Sequence, residues 1–159
     1  MNPTIKIRFI RTPGFVTSAI CFVTNSLFDH VEFGTPEGTW IGAHAQSGIE
    51  ERQANYCQPT REYVYEIPCT QYQSDELLRW ARKMIGTPYD YEDIAGLLFH
   101  NRMLNKPGRD ICSEFCYLGL CHVGINALNV LSEYAYLVTP EALHLSPVLI
   151  GHLTKKVGQ

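Results

Sequence analysis

The stretch CSEFCYLGL at residues 112–120 is patterned as a helix, and the turn-like stretch KPGRD at residues 106–110 comes just before it. This arrangement predicts that the thiol of Cys112 lies at a helix N-terminus. The unpaired backbone N–H groups and the positive end of the helix dipole favour a thiolate there, and they can also stabilise an anionic oxygen during acyl transfer. Cys112 is therefore a candidate nucleophile.

Two histidines far upstream are candidates for the base that such a nucleophile needs. His30 lies in a strand-like segment, and His44 follows in the next one. A cysteine, a histidine and an orienting polar group form the minimal set for acyl transfer. The structural alternatives are a Cys112 that packs as a small buried hydrophobe and a His30 that is hydrogen-bonded and inert.

The six cysteines are expected to be mostly reduced thiols, because a chain of 159 residues with 45% hydrophobic content needs no disulfide framework to hold a core. Cys116 and Cys121 follow Cys112 on the same predicted helix and are expected to lie in the core. A zinc site built from these three cysteines and His122 is disfavoured. The spacings match neither a Cys-x2-Cys knuckle nor the usual paired ligands.

Length and charge exclude several classes of function. The length predicts a single domain over residues 1–159. The formal charge of −3, with lysines and arginines scattered along the chain, gives no basic surface of the kind that binds nucleic acid. Residues 1–15 alternate as a strand and lack the apolar core of a signal peptide. No run approaches the roughly 18 apolar residues of a membrane span.

The first 70 residues predict a small antiparallel sheet. A turn at residues 34–38 makes a hairpin of its two flanking strands. If the hairpin pairs residues whose numbers add to an even value, His30 shares a sheet face with Gly42 and His44. The predicted strands cover residues 5–9, 19–24, 30–33, 40–44 and 63–67.

The pattern changes to helices from Ser74 onward. We expect a helix with Ser74 as N-cap that ends at Gly86, because apolar residues recur between them at helical spacing. A short helical turn near the C-terminus is expected to begin at Thr139. Further helices are predicted at residues 92–100 and 113–122. The fold class is therefore α+β, with helices packed against the sheet.

The order of several motifs resembles the circularly permuted NlpC/P60 group of papain-like thiol hydrolases, in which the histidine-bearing strands precede the nucleophile. The resemblance extends over roughly residues 5–147, and TPEAL at residues 139–143 resembles the closing Pro-x-x-Leu element of the family. The motifs that carry it are SLFDHV at 26–31, GAHAQSGI at 42–49, GTPYDY at 86–91 and CSEF at 112–115.

This resemblance implies a permuted papain-like fold with the nucleophile at a helix N-terminus. It implies that Cys112 is the nucleophile and His30 the general base. Many permuted relatives carry a glutamate where this chain has Gly42, so the third catalytic position is open. His44 is the candidate that orients His30, and Glu32, on the same strand as His30, is the alternative.

Tyr89 follows Gly-Thr-Pro in a motif that lines the active-site cleft of NlpC/P60 enzymes. The resemblance implies that Tyr89 and the backbone N–H of Cys112 stabilise the oxyanion or position the substrate. The alternative for Tyr89 is an aromatic residue that only packs.

The function implied by the resemblance is that of a cysteine amidase or peptidase, which cleaves an amide in a peptidoglycan-type peptide or a small acyl amide through an acyl-enzyme. A thiol acyltransferase or a hydrolase of lipid amides or esters would use the same residues. A non-catalytic binding or phage structural domain is a further alternative. The resemblance implies no metal or organic cofactor, and it favours a cytoplasmic or phage-associated protein.

Overall fold

The computed structural model shows an α+β protein built on one six-stranded antiparallel sheet, with strand order β4-β3-β2-β1-β5-β6. The strands are β1 (Thr4–Arg11), β2 (His30–Gly34), β3 (Trp40–His44), β4 (Gly48–Arg52), β5 (Arg61–Pro68) and β6 (Leu153–Val157). The structure describes residues 2–14, 18, 21–22, 25–44, 47–87 and 112–158.

Four of the predicted strands are confirmed, and each lies within one of β1, β2, β3 and β5. The sequence analysis did not predict β4 and β6. Strand β4 has charged residues at three of its five positions, and all five residues of β6 are exposed. Neither strand therefore carries the alternation of apolar and polar residues by which a half-buried strand is recognised.

The predicted strand at residues 19–24 is wrong where the structure describes it. Cys21 and Phe22 are helical, and the N–H of Ser26 donates to the carbonyl of Cys21 at 2.9 Å. Cys21 is buried, whereas Phe22 is 87% exposed. A short apolar run has no clear periodicity, and it does not distinguish a strand from a helical turn.

The alternation of side chains along the strands gives the sheet two different faces. One face is apolar, and its central residues, including Ile7, Val31 and Phe33, are fully buried. The opposite face carries ionisable residues on the same strands, among them Arg8 and Glu32, which lie side by side in the register of β1 and β2. The helices pack on the apolar face.

The helix α1 (Gln71–Lys83) confirms the predicted helix but not its first residue. The N-cap is Thr70, whose side chain accepts a hydrogen bond from the N–H of Gln73, while the side chain of Gln73 bonds back to the N–H of Thr70. This capping box is the pattern Thr-x-x-Gln in the sequence. It begins the helix four residues before the predicted cap, Ser74.

The helix α2 (Cys112–His122) packs against β2 and β3 of the sheet and against α1. It ends as predicted near Gly124, whose φ of 75° is readily adopted by glycine. The predicted helix at residues 92–100 lies outside the described residues. The remaining helical segments are a 3-10 helix (Ser132–Leu137), α3 (Pro140–His144) and α4 (Pro147–Ile150).

The predicted helical turn near the C-terminus is confirmed by α3, with Thr139 as its N-cap: the Thr139 side chain accepts a hydrogen bond from the N–H of Ala142. Among the helices that the structure describes, none is both long and apolar enough to cross a membrane.

Gly119 allows α2 to approach its neighbours closely. A Cβ atom at this position would lie 2.8 Å from the ring of Phe33, 2.9 Å from that of Trp80 and 3.0 Å from a methyl of Leu77. These side chains belong to β2 and α1, so Gly119 is where the two helices and the sheet come into contact.

We predict that Gly119→Ala lowers the free energy of unfolding by about 1–2 kcal/mol, measured by urea denaturation. Overpacking a core costs about 1–3 kcal/mol, and the better helix propensity of alanine recovers only part of it. Gly151→Ala is the matched control, since a Cβ there meets nothing within 4 Å. An unchanged or raised stability of Gly119→Ala would show that the three side chains move aside freely.

Candidate active site

The register of the β2–β3 hairpin brings His30 and His44 together. Phe33 pairs with Ile41, and Gly34 pairs with Trp40, which is the even-sum register that places the two histidines on one face. The centroids of their rings are 4.5 Å apart. The conditional prediction of a shared face is therefore confirmed.

Cys112 is the first residue of α2, as predicted, and it is only 4% exposed. This end of the helix lies beside Asp29, which directly precedes His30, the first residue of β2. The thiol lies 4.0 Å from the carbonyl oxygen of Asp29. The interaction with the Cys112 side chain also raises the pKa of the neighbouring His30 imidazole.

A buried carboxylate lies on the other side of His30. Oε2 of Glu32 is 3.4 Å from Nε2 of His30 and 4.0 Å from Nε2 of His44. The two groups proposed from the sequence to orient His30 therefore both lie beside it, and Glu32 is the nearer of the two to His30.

Glu32 forms an ion pair with Arg8, which lies opposite it on the neighbouring strand β1. Nε of Arg8 donates to Oε1 of Glu32 at 2.6 Å, and a second guanidinium nitrogen forms an ion pair with the same oxygen. Oε2 accepts a hydrogen bond from the hydroxyl of Tyr56 at 3.1 Å. The guanidinium also lies 4.3 Å from the centroid of the Trp40 ring, a cation–π contact.

Gly42 leaves the space that His30 and Glu32 occupy. A Cβ at position 42 would lie 2.9 Å from the Cβ of Glu32 and 3.1 Å from Nε2 of His30. The carboxylate beside His30 therefore comes from β2, and β3 contributes no side chain at this point.

The surroundings of the two histidines shift their pKa values in opposite directions. Burial lowers the pKa of His30, but its interactions with Cys112 and Glu32 outweigh burial and raise the pKa to about 10. Burial, together with the charges of His30, Arg52 and Arg8, lowers the pKa of His44 to about 2. At neutral pH, His30 therefore carries a proton and a charge, whereas His44 is neutral.

Burial also acts on Glu32 by raising its pKa. The interactions of Glu32 with His30 and with Arg8 outweigh this effect and lower the pKa of the carboxyl. Glu32 is thus ionised, and it balances the charge of its two cationic neighbours.

The same residues are the ones that could hold a metal ion. Ligand atoms of His30, Glu32 and His44 all lie within 4.8 Å of one another, and in the described part of the chain this is the one such group. The combination of Cys112, Cys116, Cys121 and His122 does not form such a group.

Arg8 and Tyr56 belong to this site but were missed in the sequence analysis. Arg8 had no distinct local signal, because it alternates with apolar residues in the same way as Lys6, which is exposed. Tyr56 lies between two strands and has no local signature. The predicted site residue Tyr89 lies outside the described residues.

A comparison of the sequence with protein-family models finds no match, and a comparison with curated proteins finds none either. The structure is similar to one described as "Crystal structure of metalloprotein yiiX from Escherichia coli O157:H7, DUF1105". The TM-score is 0.71 over 99% of this chain and 99% of that chain, at 16% sequence identity. This likeness shows a shared fold, so a function has to be argued from the site itself.

Proposed function

We propose that the protein is a cysteine hydrolase that cleaves an amide bond through an acyl-enzyme on Cys112. The observation that carries this proposal is the position of Cys112, at the start of a helix and beside Asp29 and His30, together with the buried Glu32 that lies 3.4 Å from His30. A thiol beside a protonated imidazole is the arrangement that activates a cysteine nucleophile.

In the first step, the thiolate of Cys112 attacks the carbonyl carbon of the amide, and a carbon–sulfur bond forms. The negative charge that develops on the carbonyl oxygen is stabilised by the backbone N–H of Cys112 at the helix N-terminus. The carbon–nitrogen bond then breaks, and His30 gives its proton to the leaving amine.

In the second step, water attacks the thioester, and His30 takes its proton. The new carbon–oxygen bond replaces the carbon–sulfur bond, and the proton held by His30 restores the charged imidazole. Glu32 keeps the ring in position and stabilises its charge, so Glu32 is the positioning residue in this proposal. His44, neutral and adjacent, forms part of the wall of the site.

We predict that Cys112 is the fastest of the six thiols to react with iodoacetamide, although it is buried. Cys57 and Cys69 are more exposed, and burial raises the pKa of both. Exposure alone would make them react first. The measurement is the alkylation rate of each site between pH 5 and 9, followed by mass spectrometry.

Acyl transfer is tested with p-nitrophenyl acetate, an activated acyl donor that should leave an acetyl group on Cys112. Cys112→Ala should abolish this adduct and leave the fold intact, whereas Cys116→Ala, at a buried site one helical turn away, should acylate as the wild type does. Release of the acetyl group by water indicates a hydrolase, and its transfer to an added amine or alcohol indicates an acyltransferase. If Cys112 reacts no faster than Cys57 and Cys69, the nucleophile assignment is wrong.

We further predict that Glu32→Gln lowers the pKa of His30 from about 10, because the negative charge that stabilises the imidazolium is lost. The groups that face His30 are Cys112, Glu32 and His44. With the pKa lowered, His30 loses its proton at a lower pH, and above that pH the positive charge beside the Cys112 thiol is lost. Alkylation of Cys112 should therefore slow at pH values above the lowered pKa, and slowing at pH 7 requires the pKa of His30 to fall by about three units, from about 10 to about 7.

Glu62→Gln is the matched control for Glu32→Gln. Glu62 is also buried and also pairs with Arg8, at 3.4 Å, but it lies on β5, away from His30. The readouts are the NMR titration of His30 and the alkylation rate of Cys112, both with EDTA present. If alkylation of Cys112 slows equally in the two variants, the effect comes from the disturbed ion pairs of Arg8 and not from the contact of Glu32 with His30. That result would contradict the role given to Glu32.

A further inference from the structure

Two imidazole nitrogens in the site are buried without a hydrogen-bond partner. They are Nε2 of His30 and Nε2 of His44. The contact of His30 with Glu32, at 3.4 Å, is an ion pair outside the geometry of a good hydrogen bond. The side chain of His44 is only 8% exposed. Buried polar atoms without partners are costly and uncommon, so a pair of them on one carboxylate points to a missing ligand.

The spacing of these atoms is close to that of a metal site. Nitrogen ligands lie about 2.0–2.1 Å from zinc, so two ligands of a tetrahedral ion are about 3.4 Å apart. Oε2 of Glu32 is 3.4 Å from Nε2 of His30 and 4.0 Å from that of His44, and all three ligand atoms lie within 4.8 Å of one another. The pairs that include His44 are wider, so the His44 ring would have to move closer to the other two ligands when an ion binds.

The chemistry of the three donors also suits such an ion. Two imidazoles and one carboxylate are ligands that zinc and its neighbours in the first transition series accept. Arg8 and Tyr56 hold Glu32 in place, as partners behind a metal ligand commonly do. Because Arg8 already neutralises part of the charge of Glu32, the site should bind the ion reversibly rather than permanently.

We propose that His30, Glu32 and His44 bind a divalent transition-metal ion of the zinc class, and that the bound ion suppresses the reactivity of Cys112. The binding follows from the three ligands alone, whereas the suppression rests on the proposed function. His30 cannot coordinate the ion and accept the proton of the Cys112 thiol at the same time. An imidazole that coordinates through one nitrogen carries its proton on the other, and it has no lone pair left to accept the proton of the thiol.

Binding is tested by titrating the metal-free protein with Co²⁺, whose visible absorption reports coordination and whose near-ultraviolet charge-transfer band reports thiolate ligands. The wild type and Cys112→Ser should both bind one ion without the thiolate band. His44→Gln should weaken binding by more than about tenfold, since even the loss of an outer-shell partner costs about 10- to 100-fold. The matched control is His122→Ala, because His122 is an exposed histidine paired with Glu76.

Two further measurements keep this result independent of folding and of activity. Circular dichroism shows whether His44→Gln is folded, and Zn²⁺ should raise the thermal unfolding temperature of the wild type but not that of His44→Gln. Unchanged Co²⁺ affinity in folded His44→Gln, or a thiolate band in the wild type, would overturn the metal site.

Suppression is tested by the iodoacetamide rate of Cys112 with and without Zn²⁺. Saturating Zn²⁺ should slow Cys112 at least about tenfold in the wild type, EDTA should restore the rate, and His44→Gln should not be protected. Protection that survives in His44→Gln would mean that Zn²⁺ binds the thiol directly, which overturns the proposed coupling. If Cys112 is slow even in metal-free protein, the proposed hydrolase fails and the suppression with it, while the Co²⁺ titration still decides the metal site.

Discussion

The ion pair between Arg8 and Glu32 is the interaction on which the site depends. The two side chains are 3% and 0% exposed, so their charges are almost fully removed from water. Such a pair costs desolvation energy, and removing one partner alone typically destabilises a protein by about 3–5 kcal/mol. With Arg8 beside it, the Glu32 carboxylate lies 3.4 Å from Nε2 of His30 and 4.0 Å from Nε2 of His44. His30 and Arg8 together lower the pKa of this deeply buried carboxylate, and Glu32, with Cys112, in turn raises the pKa of His30.

The alternation of side chains along β1 and β2 lets one pair of strands serve both the core and the site. Residues at odd positions, such as Ile7 and Val31, face the helices and are fully buried. Residues at even positions, such as Arg8 and Glu32, form the charged layer on the opposite face. A shift of one residue in either strand would exchange the two layers, so the same apolar packing that stabilises the sheet also holds the charges of the candidate site in register.

Much of the fold followed from the sequence because its signals are local. The strand alternation, the hairpin turn and the periodicity of α1 and α2 each lie within one short stretch. The wrong and the missed strand predictions also have physical causes. Residues 19–24 are too short and too uniformly apolar to show a period, and β6 is recognised only through its pairing with β5.

The residues of the candidate site also differ in whether their signal in the sequence is local. Cys112, His30 and His44 could be chosen from residue type and segment, and Glu32 was visible as a neighbour of His30 on its strand. The roles of Arg8 and Tyr56 depend on contacts across 24 residues of chain, which no local pattern contains. The pairing of β1 with β2 makes Arg8 part of the site, and that pairing is a property of the folded sheet.

Substitutions at Gly42, which has no reactive side-chain atom, should have effects like those at the residues of the candidate site. Its missing side chain is the volume in which the His30 ring and the stem of Glu32 lie. A saturation scan scored on the proposed activity would rank this glycine beside Cys112 and His30, while a scan scored on abundance would rank it lower. The gap between the two rankings would separate residues that supply a functional group from those that supply only the room for one.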